Sequence, residues 1–166
     1  MTNINRNIRL AGKQDLEAIR EIYNESVLNS TSTFDTEPRT KYEQKFWFRV
    51  HQGIYSVLVH ELNAVITGWA SLSPWSERPA YKGTAENSDY IKKEHQNKGI
   101  GKALLANLLE SAIQNGLHTI IARIASENEI NIKLHQQLGF EIMGVMREAG
   151  RKFDRYIDVT FMQKML

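Results

Sequence analysis

A glycine turn set between a strand and a long helix constrains this chain more than any other feature. Gln96-Asn97-Lys98-Gly99-Ile100-Gly101 follows the strand-like run Thr84 to Ile91 and opens the clearest helical stretch, Gly99 to Asn115. Ile100, Leu104, Leu105, Leu108, Leu109, Ala112 and Ile113 form one apolar stripe at helical spacing, and Gly116 supplies the stop. Thr119 to Ile124 is then a strongly β run. Two glycines let the backbone turn sharply and pass close to a ligand. The unpaired N–H groups of a helix start, with the positive end of its dipole, make an anion site. Lys92, Lys93, Lys98 and Lys102 surround the turn, which suits a multiply phosphorylated ligand. The same residues also fit a plain helix start with solvated lysines. No Gly-Lys-Ser/Thr ends the turn, and it is not the three-glycine dinucleotide fingerprint.

The rest of the chain alternates strands and helices. Ile8 to Ala11 reads as a short strand, and Asp15 to Leu28 as a helix carried by Leu16, Ile19, Ile22, Tyr23 and Val27. A polar stretch, Asn29 to Arg39, holds a lone Phe34. Lys41 to His51 is predicted as a second amphipathic helix, closed by Gly53. Tyr55 to His60 and Ala64 to Leu72 read as an antiparallel hairpin. The prolines of Ser73 to Pro79 resist regular structure. Ser126 and Glu129 have capping-box spacing for a helix ending at Leu138-Gly139. Two last strands, about Glu141 to Glu148 and Phe153 to Lys164, flank a turn around Gly150. The order β-α-α-β-β-β-α-β-α-β-β predicts an α/β (α+β) protein with a mixed, mainly antiparallel sheet.

Composition excludes several functions. At 166 residues the chain fits one domain, which would bury roughly 70% of its unfolded surface. With 21 basic against 19 acidic residues the net charge is +2, without the excess expected of a nucleic-acid or membrane-surface binder. Cysteine is absent, so disulfides, thiolate metal sites and a cysteine nucleophile are excluded. The five histidines lack metal-ligand spacing, and no metal is expected. Met1 to Arg9 lacks the apolar core of a secretory signal, and no apolar run nears the ~20 residues that span a bilayer. A cytoplasmic protein is the expectation.

The glycine turn, the β run after it, and Asn128-x-x-Asn131-x-x-Leu134-His135-x-x-Leu138-Gly139-Phe140 together resemble the GNAT acetyltransferase superfamily. Within it, Ile22-Tyr23-Asn24, Thr33-Phe34-Asp35-Thr36-Glu37-Pro38, Gly68-Trp69-Ala70, Ala80-Tyr81, Thr84-Ala85-Glu86-Asn87-Ser88 and Gly150-Arg151-Lys152-Phe153 look like the phosphinothricin and methionine sulfoximine/sulfone acetyltransferases. The resemblance runs from about Ile8 to Leu166 and is specific only when the motifs are taken together. It implies one GNAT domain over residues 1–166, with a seven-stranded sheet flanked by about four helices. It implies acetyl-CoA as co-substrate, held by Asp89, Tyr90, Ile91, Gln96, Asn97, Lys98, Gly99, Ile100, Gly101, Lys102 and Asn128. It also suggests a homodimer with loops from both chains near the pocket.

Acetyl transfer needs a neutral amine, a stabilised thioester oxygen and a departing thiolate. Glu86, just upstream of the turn, matches the family's catalytic glutamate and is the general-base candidate; an exposed strand glutamate is the bland alternative. The resemblance implies an oxyanion-stabilising N–H near Tyr90 or Ile91. Where many relatives carry a proton-donating tyrosine this chain has His135, either the acid for the thiolate or a packing histidine that hydrogen-bonds the substrate or Glu86. Asn128 reads as an amide partner for the pantetheine arm or as a helix cap. Phe34, Trp75 and Tyr81 are aromatic residues in or beside polar segments that fit a pocket wall or loop anchors. Arg78 offers a clamp for an α-carboxylate, or a solvated charge beside Glu77. Arg151, Lys152 and Arg155 read as substrate contacts or as a solvated turn.

The expected activity is therefore acetylation of the α-amine of a small amino-acid analogue in a ternary complex, in a detoxifying role. The alternatives are another acceptor (a protein N-terminus, a polyamine or an antibiotic amine) and a non-catalytic coenzyme-A-binding module.

Overall fold

The computed structural model describes residues 7–166; the polar segment up to Arg6, part of the stretch expected to lack a secretory signal, lies outside them. The elements follow the expected order: β1 (Ile8–Leu10), α1 (Leu16–Asn29), α2 (Lys41–Val50), β2 (Val57–Leu62), β3 (Val65–Pro74), β4 (Thr84–Ile91), α3 (Ile100–Gln114), β5 (Thr119–Ala125), α4 (Glu129–Gln137), β6 (Glu141–Lys152) and β7 (Arg155–Met165). The strands form one sheet in the order β1-β2-β3-β4-β5-β7-β6, antiparallel throughout except for β4 with β5. This is the mixed, mainly antiparallel seven-stranded sheet with four helices that the sequence predicts.

Strand alternation sorts the core into two layers, because successive side chains leave opposite faces of the sheet. Val57, Val59, Ile66 and Trp69 pack with Ile19, Ile22, Tyr23 and Val27 of α1 and Phe48 of α2. Their neighbours Leu58, Ala70 and Leu72 face the other way. There they join Ile120, Ile124, Phe140 and Met162 beneath the α3 stripe of Leu104, Leu105, Leu108, Leu109 and Ala112. Ile113, at the end of the predicted stripe, is instead 57% exposed.

Two local readings are corrected. The cap of α4 is Asn128, whose side chain accepts from the Asn131 N–H; Ser126, placed in a capping box with Glu129, instead bonds Thr160 at 2.8 Å. The last hairpin turns at Phe153-Asp154, both at positive φ, as a two-residue turn between twisted strands requires. Gly150 lies inside β6, opposite Ile157 and next to a register shift, and Phe34 packs directly over it.

One topological detail positions the site. β4 pairs with β5 only from Thr84 to Glu86, opposite Thr119 to Ile121. Beyond that, Asn87–Ile91 pair only with β3, and Ala122–Ala125 only with β7. Two parallel strands that begin together and then part leave a wedge in the middle of the sheet.

Candidate active site

A cavity of about 430 Å³ fills this wedge. Glu86 to Tyr90 form one wall and Ala122 to Ala125 the other, with Phe34, His135, Met146 and Phe161 at its margins. Trp75 N–H donates to the Thr84 carbonyl and Lys92 N–H to that of Thr67, which fixes the antiparallel phase. Even-numbered residues of β4 therefore spend their backbone groups on β3, while those of Asn87, Asp89 and Ile91 face the split. The Ile91 carbonyl agrees, taking its hydrogen bond from Gln96 Nε2 at 3.1 Å. Of the two N–H groups expected near the reacting oxygen, that of Ile91 faces the wedge and that of Tyr90 turns to β3.

At the open end of β4 the chain folds into the glycine turn. Asn97 takes φ +58 and Gly99 φ +83, and Gly99 is the residue before α3. No side chain caps the start of α3, and the first intrahelical bond is that of Ala103 N–H to Gly99 O. Gly101 lies in the first turn. A Cβ there would come no nearer than 3.5 Å to Leu134, so no protein neighbour demands a glycine. The lysines are partly committed: Lys98 Nζ donates to the Glu94 carbonyl at 2.7 Å, and Lys102 Nζ to Gln137 at 3.0 Å.

Glu86 sits where the strands part, its side chain 17% exposed. Arg123 of β5 grips it in a fork, Nε to Oε1 at 2.6 Å and Nη2 to Oε2 at 2.7 Å. The same hydrogen bonds push the Arg123 pKa up. Arg123 also lies over the Trp75 ring, 5.7 Å from its centroid.

On the α4 side, His135 is 1% exposed and both ring nitrogens are engaged. Nδ1 is 2.9 Å from the Asn131 carbonyl, which can only accept, so Nδ1 carries the proton of the neutral ring. Nε2 then accepts from Asn87 Nδ2 at 3.0 Å. His135 therefore has no proton on the nitrogen nearest the wedge, and its partner is Asn87, not Glu86. Asn87 Oδ1 is buried without a protein partner. Beside it, burial pushes the Asp89 carboxyl above the usual carboxylate range.

The 30–39 loop closes the opposite side. Thr31 Oγ1 and the Arg155 guanidinium converge on Glu127, at 2.6 and 2.7 Å. Those bonds hold the Glu127 carboxyl down at about 2. Lys152, 5% exposed, donates to the Thr33 carbonyl at 2.8 Å, and burial pushes its pKa down. Tyr23 donates to Asp35 and packs edge-on against Tyr90 at 5.1 Å. Burial first, and Asp35 second, raise the Tyr23 phenol to about 12.

Of the residues expected to bind substrate, Phe34 and Glu86 line the cavity, and Trp75, Arg78 and Tyr81 do not. Trp75 meets Phe161 edge-on at 6.5 Å and stands behind Arg123. Arg78 and Tyr81 lie outside the cavity wall, both exposed. Arg123 went unread in the sequence, yet an arginine interrupting Ile120-Ile121-Ala122 and Ile124-Ala125 is a visible break in an apolar strand.

Comparison with known proteins follows this geometry. The model of the family described as "Acetyltransferase (GNAT) domain" matches residues 8–161. The L-methionine sulfoximine/L-methionine sulfone acetyltransferase of Salmonella typhimurium is 39% identical over 160 residues, covering 96% of this chain and 94% of its own length. The phosphinothricin N-acetyltransferase of Streptomyces coelicolor is 36% identical over 163 residues, covering 96% and 95%. A GNAT superfamily phosphinothricin acetyltransferase from Sinorhizobium meliloti, solved with acetyl-CoA, superposes with a TM-score of 0.93 at 37% identity, covering 96% of this chain and 87% of that one.

Proposed function

This chain belongs to the GNAT acetyltransferase family and is an acetyl-CoA-dependent N-acetyltransferase; from that premise we propose that it acetylates the α-amine of a small amino-acid analogue such as phosphinothricin, methionine sulfoximine or methionine sulfone. The observation that carries the reading is Glu86 at the point where β4 and β5 part, inside a cavity sized for a small acceptor. The names of the methionine sulfoximine and phosphinothricin relatives point to the same substrate class.

The residues present fit acetyl-CoA. The uncapped N–H groups at the start of α3 suit a pyrophosphate, and Gly101 leaves room for it. The open edge of β4 at Asp89 and Ile91 suits the amide-bearing pantetheine arm, and the unpartnered Asn87 Oδ1 can accept from an amide N–H there. Asn128 serves this face by capping α4. Acetyl-CoA supplies an activated acyl group on a good thiolate leaving group.

The chain's own groups do the remainder. Glu86 takes a proton from the acceptor's ammonium, directly or through water, and exposes the nitrogen lone pair. The Ile91 N–H meets the charge that grows on the thioester oxygen. The C–N bond forms and the C–S bond breaks, with acceptor and acetyl-CoA bound together. The nitrogen sheds its second proton, the thiolate gains one, and one proton is released overall. His135, with both ring nitrogens engaged by Asn87 and Asn131, positions Asn87 in this reading, and the thiolate draws its proton from water.

The reading includes a homodimer. β6 is an edge strand exposed from Glu141 to Ala149, and it presents Ile142, Met143, Val145 and Met146 to solvent. A long apolar edge of this kind calls for a partner. Met146 and Ala149 also line the cavity, so a second copy there would complete its rim; light scattering checks this.

The test of function is thiol release with acetyl-CoA and each of the three analogues. Turnover with at least one is expected, and Glu86→Gln should lower kcat by ~10²-fold or more while acetyl-CoA still binds. A folded protein that turns over none of them removes the substrate class. An unchanged kcat in the variant removes Glu86 as base.

A further inference from the structure

We propose that Arg123 is a latch on Glu86 which the acceptor's own anionic group releases, so that the enzyme selects amines carrying a neighbouring carboxylate over neutral amines. The proposal rests on Glu86 acting as the base.

Both Glu86 oxygens are held by the Arg123 fork. A carboxylate paired in this way is shielded from an incoming ammonium, because the guanidinium occupies the lone pairs that the ammonium would approach. Arg123 is also lightly tethered elsewhere: its side chain is 51% exposed, and its other contact is the face of Trp75. Its guanidinium carries five N–H donors, of which the pair with Glu86 uses two.

The surroundings point to what would draw it away. Glu86, Asp35 and Asp89 all line the cavity, and Arg123 is the only lysine or arginine among the residues that do. An acceptor's carboxylate therefore finds one cationic partner there, and that partner is the one Glu86 is using. In an α-amino acid the amine and the carboxylate share one carbon. Docking the carboxylate on Arg123 consequently delivers the ammonium beside Glu86 at the moment its clamp is loosened. A neutral amine lacks the competing anion and meets Glu86 still paired. Charge recognition and activation of the base are thus one event at one side chain.

The experiment compares L-methionine sulfone with its carboxamide, in turnover and in calorimetric binding, on wild type, Arg123→Gln and Arg123→Lys. Wild type is expected to favour the carboxylate by about tenfold to a hundredfold in kcat/KM, the span of one charge-assisted hydrogen-bonded pair. Arg123→Gln should lose that preference in an asymmetric way: KM for the carboxylate rises, while kcat for the carboxamide increases because Glu86 is unclamped. Arg123→Lys, which keeps the charge without the fork, should fall between. A variant that slows both acceptors by one common factor, or that keeps the wild-type preference, overturns the latch. Thermal midpoints of the three proteins identify a loss that comes from misfolding. If wild type turns over neither compound, the substrate reading fails and the latch, which rests on it, fails with it. If both are turned over without discrimination, the latch fails and the acetyl-transfer reading stands.

Discussion

Gly99 and Gly101 sit two residues apart and answer to different physics. Gly99 takes a left-handed φ of +83, where any Cβ is strained. Gly101 is helical and uncrowded, so alanine there would restore roughly 1 kcal/mol of helix propensity. Gly101→Ala is accordingly expected to hold or raise the thermal midpoint while KM for acetyl-CoA rises about tenfold, as for one lost hydrogen bond to a charged group. Melting curves and acetyl-CoA titrations read the two effects separately, and a more stable protein with unchanged KM would remove the pyrophosphate from Gly101. Both glycines were legible because their roles are local, set by turn geometry within six residues. Arg123 was not, because its partner lies 37 positions upstream and only the β4–β5 register brings the two together. Arg78, the arginine the loop composition favoured, projects from a segment that the sheet leaves outside the cavity.

Among the elements, the 30–39 loop shows how a polar stretch becomes a wall. It contains no regular structure, yet β6, β7 and the β5–α4 connection each pin it: Gly150 under Phe34, Lys152 on Thr33, and Glu127 between Thr31 and Arg155. Gly150 is the sharpest of these contacts. A Cβ there would stand 2.3 Å from Phe34 Cε2, so the ring must move, and Phe34, 38% exposed at the cavity rim, has room to swing outward. Gly150→Ala should therefore displace the cavity wall more than it destabilises the fold. The expected outcome is a severalfold rise in acceptor KM with acetyl-CoA KM unchanged and a loss of unfolding free energy below the usual overpacking cost of about 1–3 kcal/mol, read by denaturant melts. Equal effects on both KM values would detach Phe34 from the acceptor side. The sequence pointed to Gly150 as a turn because glycine is the commonest turn residue. The hairpin instead places Phe153 and Asp154 at positive φ and uses the glycine for close packing. Ser126 was misplaced for a similar reason: capping-box spacing fits two starts for α4, and Asn128 wins because its side chain reaches the Asn131 N–H.

Across the whole molecule, the order of elements was readable because each strand and helix carries its own period, and α3 buries its stripe where that period says from Ile100 to Ala112, leaving Ile113 exposed. The parting of β4 from β5 was not readable, since it is a property of two strands whose pairing stops at Glu86. The same long-range packing sets how the fold responds to acid. His51 ties α2 to β3, with Nδ1 2.7 Å from the Trp47 carbonyl and Nε2 2.8 Å from Ser73, and His60 bonds Thr67 across the β2–β3 hairpin. Burial is the main cause that depresses both imidazoles below the usual histidine value, with smaller contributions from Arg39 on His51 and His95 on His60. The unfolded chain therefore binds these two protons at a higher pH than the folded one. The stability they contribute is complete above about pH 6.5 and is lost as pH falls through and below that value, at up to about 1.4 kcal/mol per pH unit for each histidine. Asp15 acts lower: its hydrogen bonds from Arg9 depress the carboxyl, so its contribution holds above the ordinary carboxylate pKa and disappears only in stronger acid. The thermal midpoint should be level from pH 8 to 7 and decline from about pH 6.5 downward. His51→Gln, which keeps a hydrogen-bonding group at that position, should reduce the slope between pH 6.5 and 5 and leave the more acidic Asp15 limb in place. A variant with the wild-type slope across that window would show that His51 takes no part in the acid response and would leave His60 to carry it.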